Sequence, residues 1–245
     1  MTVYFEKYAG DYARYRPGYP SDLIDHLADS LKINNSSLIL DLACGTGKLS
    51  ESLRSNHSPA IVGADRSSVL LGQNGSSFRV NAFAESLPFK DKSFEAILIA
   101  QAFHWFDFDK TLNEIHRVLT DGGGFAIIWY RRIRPLQGHR LEMDNLLKAI
   151  YPAFKIVFMD YDWPDVITKH GGFSHIRKFK TVHTWDYSKE NYLKLQRSKS
   201  YVGDTLPQKQ LEQFMRQYSE ILDREFPDGI IKEKLEYFYV SAVKV

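Results

Sequence analysis

The chain has 245 residues, 44% hydrophobic and 25% charged, with a formal net charge of +2. This is an ordinary soluble, globular composition. Its single cysteine, Cys44, excludes an internal disulfide framework and any multi-cysteine metal site. No apolar run reaches the roughly 20 residues that span a bilayer. The charged, tyrosine-rich opening segment does not read as a signal peptide, so a cytoplasmic protein is expected. Residues 1–130 carry 12 basic and 15 acidic side chains, and residues 131–245 carry 20 and 15. The basic second half suits an anionic ligand, although a solvated lysine-bearing surface is the simpler reading.

Tyr4, Tyr8, Tyr12, Tyr15 and Tyr19 recur at helical spacing. Pro17, Gly18 and Pro20 end that helix near Tyr15. Ser21 reads as the cap of a helix through Leu31, with Leu23, Ile24, Leu27 and Leu31 on one face. Short apolar strands are predicted at Leu38–Leu42, 60–64, 78–84, 96–102 and 125–130. Helices are predicted at 48–54, after a cap at Ser67 or Ser68, and at 109–119, where Gly122, Gly123 and Gly124 read as a helix stop. Beyond residue 130 the pattern loosens, with helices at 138–151, 189–199 and 208–226 and strands at 176–187 and 234–245. Alternating strands and helices imply an α/β, doubly wound, mostly parallel sheet. A ligand is then expected at the carboxyl ends of the strands.

The segment Asp41-Leu42-Ala43-Cys44-Gly45-Thr46-Gly47 lies where a strand turns into a helix. Gly45 and Gly47 permit a tight turn and close approach of the backbone to a ligand. The helix start adds free N–H groups. Asp65, at the end of the next strand, is placed to accept hydrogen bonds from two ribose hydroxyls. Dinucleotide-binding domains use a similar glycine turn and acidic residue, but their G-x-G-x-x-G spacing fails here. Read from Gly45, the third position is Ser50; read from Ala43, the first and third positions are Ala43 and Lys48.

Asp41–Gly47 resembles motif I of the class I S-adenosylmethionine-dependent methyltransferases, and Asp65 resembles the acidic residue ending their second strand. Ala84-Glu85-Ser86-Leu87-Pro88-Phe89 with Ser93-Phe94-Glu95 resembles the segment entering their fourth strand. Glu114-Ile115-His116-Arg117-Val118-Leu119 with Gly122 and Gly123 resembles the one before their fifth. Tyr15-Arg16-Pro17-Gly18-Tyr19-Pro20, Gln101-Ala102-Phe103-His104-Trp105-Phe106 and Arg197-Ser198-Lys199-Ser200-Tyr201 are similar to a small-molecule subgroup that includes trans-aconitate methyltransferases. Two positions depart from the family: its first motif I glycine is Ala43, and its usual adenine-binding aspartate is Phe83.

The resemblance implies a single methyltransferase domain over residues 1–245, with a seven-stranded Rossmann-like sheet. Residues 1–20 would form a lid, 20–130 the cofactor core, and 131–245 the remaining strands with helical cap elements for the acceptor. It implies S-adenosylmethionine as cofactor and a small-molecule acceptor, an anionic carboxylate or another oxygen nucleophile. The implied cofactor contacts are Tyr15, Arg16, Asp41, Ala43, Gly45, Thr46, Gly47, Asp65, Arg66, Ala84, Glu85, Gln101 and Phe103. Either the backbone near Ala84, or Glu85, or the ring of Phe83 would meet the adenine. His104 is the candidate general base, against packing beside Trp105. Arg131, Arg132, Arg134, Arg197 and Lys199 are candidate acceptor-binding cations. Cys44, with no local base, reads as a spacer. A nucleic-acid methyltransferase is disfavoured because Ala100-Gln101-Ala102-Phe103 is not the N/D-P-P-Y run of amino-methylating enzymes, and the chain has no Pro-Cys pair. A dense basic stripe with interleaved aromatics is also missing. A non-enzymatic module for a nucleotide-like ligand stays open, and an NAD enzyme is disfavoured by spacing.

Overall fold

The computed structural model describes residues 7–76, 78–133, 135–152 and 161–245. Tyr4 and Arg134 therefore lie outside the described residues. In chain order the elements are α1 (Ala9–Tyr15), α2 (Ser21–Leu31), β1 (Leu38–Leu42), α3 (Lys48–Asn56), β2 (Ala60–Asp65), α4 (Ser68–Gly72), β3 (Phe78–Asn81) and β4 (Phe94–Ala100). They continue with α5 (Phe108–Val118), β5 (Leu119–Arg132), α6 (His139–Ile150), α7 (Trp163–His170), β6 (Phe173–Ser188), α8 (Lys189–Arg197), α9 (Gln208–Glu225) and β7 (Ile230–Lys244). The strands form one seven-stranded sheet in the order β3-β2-β1-β4-β5-β7-β6. The pairings from β3 across to β5 are parallel, so the loops after β1, β2, β3 and β4 gather at one edge.

The described residues divide into two compact units. The first comprises Gly18–Tyr130, 161–181 and Glu236–Val245. Its core is built by Leu40 and Leu42 of β1, Ile97 and Ile99 of β4, Phe125 and Ile127 of β5, and Leu112 and Ile115 of α5. The burial is two-sided along the central strands, which is why they read as continuous apolar runs rather than alternating ones. The second unit comprises 7–17, 131–152 and Val182–Leu235. It is mainly helical, with Met143 and Leu147 of α6, Tyr192 of α8, and Phe214, Tyr218 and Leu222 of α9 in its core. Tyr8 and Tyr15 pack against that cluster. Among the described residues no helix is long and apolar enough to cross a membrane.

Several boundaries differ from the sequence reading. Ser21 is the first residue of α2, and Pro20 holds the cap position with no side-chain bond. β3 stops at Asn81, and Phe83 turns back to bridge Ser86. β4 starts two residues early, at Phe94, and ends at Ala100. The three glycines do not stop α5. That helix ends at Val118, and Leu119 is already extended and paired with Phe94. The next registered pair is Ala96 with Gly124, so the strand bulges through the intervening residues. A Cβ on Gly124 would lie 2.9 Å from the carbonyl of Ala242, so the glycine serves strand packing. α7 escaped the sequence reading although Pro164 occupies its first turn, a favoured place for proline.

Candidate functional site

The loop from β1 to α3 is fixed to the ends of its neighbouring strands by the chain's own polar groups. Cys44 N–H donates to Ala64 O at 3.0 Å and Gly45 N–H to Asp65 Oδ2 at 2.8 Å. The other oxygen of Asp65 accepts from Ser67 N–H at 2.8 Å. Asn81 Nδ2 and Ala82 N–H both donate to Asp65 O, which ties in the loop after β3. Asp41 and Asp65 at the ends of β1 and β2, and Ala43, Gly45, Thr46, Gly47, Arg66, Ala84 and Glu85 on the loops after β1, β2 and β3, thus stand at one edge of the first unit. Burial raises the Asp65 carboxyl pKa, and the N–H donors of Ser67 and Gly45 oppose that rise.

Ala43 keeps a glycine-like conformation, with φ of 57°. An L-residue there costs roughly 1–2 kcal/mol. Ala43→Gly is therefore expected to stabilise the fold by about 1 kcal/mol, seen as a raised denaturation midpoint. A lower midpoint would mean that the methyl group packs favourably. Gln101 is the second left-handed residue of the site other than glycine, with φ of 58°. Its N–H donates to Ile128 O and its Nε2 to Tyr130 O, which hold it there across β5.

Two buried polar atoms of the β1–α3 segment have no partner: Asp41 Oδ1 and Thr46 Oγ1. The other Asp41 oxygen accepts from Ser50 Oγ at 2.5 Å. Burial pushes the Asp41 carboxyl up to about 7, against the lowering effect of Ser50. An acceptor and a hydroxyl, enclosed and unpaired, suit a ligand that is itself polar. Cys44 is buried, and its Sγ accepts from Asn74 Nδ2 at 3.3 Å. Burial and the nearby carboxylates push its thiol far above the usual range, so it is inert as a nucleophile.

After β4 the backbone makes a 3-10 turn over Phe103–Trp105. Phe103 has no exposed surface; it stacks on Phe108 and meets Trp163 edge-on. Its side chain is part of the core of the first unit. His104 is half-buried, and Trp129 Nε1 donates to its Nδ1 at 3.5 Å. Burial lowers the His104 pKa to about 4. The ring of Phe83 is 62% exposed, which is unusual for an aromatic flanking a loop cluster.

Glu114 and Arg117, from the segment before the fifth strand, have a structural task. Glu114 Oε2 accepts from Leu87 N–H at 2.7 Å, and Arg117 donates to Leu87 O, Phe89 O and Asp91. The Glu114–Arg117 pair itself is 2.8 Å apart. Two motifs distant in sequence are thus one hydrogen-bonded clamp on the loop before β4.

Tyr15, Arg16, Arg131, Arg132, Arg197 and Lys199 belong to the second unit. There Arg16 donates to Ser198 Oγ and O, and Arg197 pairs with Asp11 at 2.5 Å. Arg132 pairs with Asp144 at 3.2 Å. Four participants had no sequence signal of their own: Ser50, Asn74, Trp129 and Gln196.

A family model described as a methyltransferase domain matches residues 40–127. A methyltransferase-like protein of Schizosaccharomyces pombe is 29% identical over 171 residues, which are 68% of this chain and 66% of that protein. A second protein of the same yeast, described as an uncharacterized methyltransferase, is 26% identical over 236 residues, 89% of this chain and 86% of its own. Among solved structures, one from Anaeromyxobacter dehalogenans described as a type II methyltransferase superposes with a TM-score of 0.68. It shares 18% identity and covers 94% of this chain and 97% of that one, a likeness of fold.

Proposed function

Since the chain belongs to the class I S-adenosylmethionine-dependent methyltransferases, we propose that it methylates an oxygen nucleophile of a small-molecule acceptor, with the cofactor held by the loops after β1, β2 and β3. The observation that carries this placement is the pair of enclosed, unpartnered atoms Asp41 Oδ1 and Thr46 Oγ1 beside Asp65. Asp41 Oδ1 suits an ammonium group. Asp65 retains lone pairs for ribose hydroxyls after accepting from Gly45 and Ser67. The exposed ring of Phe83, standing where the family has an aspartate, offers a flat apolar face to the adenine.

The bound cofactor supplies an electrophilic methyl group, and the protein supplies orientation. Holding donor and acceptor in line can remove roughly 7–11 kcal/mol of barrier. His104 contributes as a hydrogen-bond donor rather than as a base. The indole N–H has no lone pair to offer, so it occupies the Nδ1 lone pair and leaves the proton on Nε2. A ring of pKa about 4 is also a weak proton acceptor at neutral pH.

Calorimetry with S-adenosylmethionine, its demethylated product S-adenosylhomocysteine and NAD tests the reading. The first two are expected to bind, and binding of NAD alone would overturn it. Asp65→Ala is expected to weaken the product's affinity by about 1–3 kcal/mol. Unchanged affinity in a folded variant would remove the ribose assignment.

A further inference from the structure

The loop after β3 displays an aromatic ring at the same edge of the first unit as Asp65. Phe83 lies between Ala82 and Ala84, which are buried in the core of that unit, while its own ring is 62% exposed. The backbone turns back directly after it. Phe83 bridges Ser86, and Ser86 N–H donates to Phe83 O at 3.2 Å. The two alanines anchor the turn, so the ring stays outside the core and its apolar surface stays hydrated.

Register and hydrogen bonds place this turn against Asp65. Asp65 pairs with Asn81 in the parallel ladder, so the two residues are one strand spacing apart, about 4.8 Å. Asn81 Nδ2 and Ala82 N–H donate to Asp65 O at 3.0 and 3.1 Å. Phe83 is the next residue in the chain. On the β1 side, Asp65 Oδ2 is taken up by Gly45 N–H at 2.8 Å. A nucleoside whose ribose meets the Asp65 carboxylate therefore carries its base toward the turn after β3. What the turn offers that base is a flat face. Phe83 has no polar side-chain atom, and the one carboxylate of the turn, Glu85, is engaged at the start of α5, where its Oε1 accepts from Asp107 N–H at 3.2 Å.

We propose that Phe83 recognises the base of the cofactor by stacking alone, so that the site selects a flat purine face and not the amino group at its edge. The inference rests on the methyl-transfer reading and deepens it by naming what the site selects. Stacking on an aromatic ring tolerates any base, because every base has a π-face. A site that accepted hydrogen bonds from the amino group would leave an enclosed acceptor unpaired once those N–H groups were replaced, a loss of about a hundredfold. The chain thus takes cofactors whose adenine is substituted on its exocyclic nitrogen. Its selectivity among nucleosides comes from the ribose and methionine ends, at Asp65 and Asp41.

The test is calorimetry on the full chain with two probes, S-adenosylhomocysteine and its analogue dimethylated on the exocyclic adenine nitrogen. The analogue keeps the flat face and has no N–H to donate there. It is expected to bind within about tenfold of the parent compound. Phe83→Ala is expected to weaken both probes by about fivefold or more, leave the ratio between them unchanged, and keep or raise the thermal midpoint, since the ring it removes is exposed. Phe83→Leu keeps apolar bulk without a flat face. It is expected to lose affinity in the same way, and it covers the case in which the alanine variant does not fold. Phe83→Tyr restores the ring and is expected to bind both probes within about twofold of the unmodified chain. Rejection of the dimethylated analogue by more than about tenfold overturns the proposal, because the amino group is then read. So does a smaller loss in both Phe83→Ala and Phe83→Leu, or a loss of affinity in Phe83→Tyr. Failure of S-adenosylhomocysteine to bind the unmodified chain would remove the methyl-transfer reading itself. Its binding with the analogue rejected would remove the stacking site alone.

Discussion

Gly47→Ala is expected to destabilise the protein by about 3 kcal/mol, the sum of a backbone penalty and an overpacking penalty. Gly47 has φ of 85°, where an L-residue is strained. Its added Cβ would also lie 2.6 Å from Asn74 Oδ1 and 2.8 Å from Asn74 Cγ. Asn74 cannot swing away cheaply. It is 3% exposed, donates to Cys44 Sγ and Gly45 O, and accepts from Ser76 N–H at 2.8 Å. Denaturant unfolding measures the loss. For a chain of this length the thermal midpoint should fall by roughly 6–12 °C. Asn74→Ala in the same background removes the clash but not the backbone strain. The double-mutant cycle should therefore show a coupling of about 1 kcal/mol or more. Additive effects would mean that the loop shifts as a whole and that Asn74 is a bystander.

That glycine also shows how far a sequence can be read. The strand–turn–helix at Leu38–Gly47 was legible because its apolar run, its acidic residue and its glycines each obey a local rule. The cap at Ser67 is of the same kind, and its hydroxyl accepts from Leu70 N–H as capping requires. The face of α2 was legible too, since Leu23, Ile24, Leu27 and Leu31 are all buried. Gly122–Gly124 misled because a glycine run fits a helix stop and a strand bulge equally well; only the pairing of β5 with β4 separates them. Asn74 and Gln196 were silent. The Asn74 amide N–H groups reach back to Cys44 and Gly45, and Gln196 Nε2 is buried without a partner; no periodicity marks such positions. Arg132 and Lys199 could be flagged as cations, but their enclosure could not. It depends on α6, α8 and the start of β7, residues 230–235, folding into one unit.

Asp41→Asn is expected to make the protein more stable at pH 8 and to erase most of its stability change between pH 4 and 7. Burial holds the folded carboxyl at about 7, well above the value near 4 of an exposed aspartate. Between those two values the folded chain keeps a proton that the unfolded chain has released. The unfolded state then binds fewer protons, so stability falls as pH rises through the window and is level above it. Three units correspond to about 4 kcal/mol at most. Asparagine carries no charge to bury, and its carbonyl can still accept from Ser50 Oγ in place of Asp41 Oδ2. Unfolding in denaturant at pH 4.5, 6 and 8 distinguishes the outcomes. A variant with the same pH slope as the parent would assign that slope to other groups. The same substitution should weaken S-adenosylhomocysteine binding, because the unpartnered Asp41 Oδ1 would no longer belong to an anion able to meet an ammonium group. Gain in stability with loss of affinity is the signature of a carboxylate kept for its ligand. Gain in stability with affinity unchanged would leave Asp41 a loop-orienting residue, tied only to Ser50.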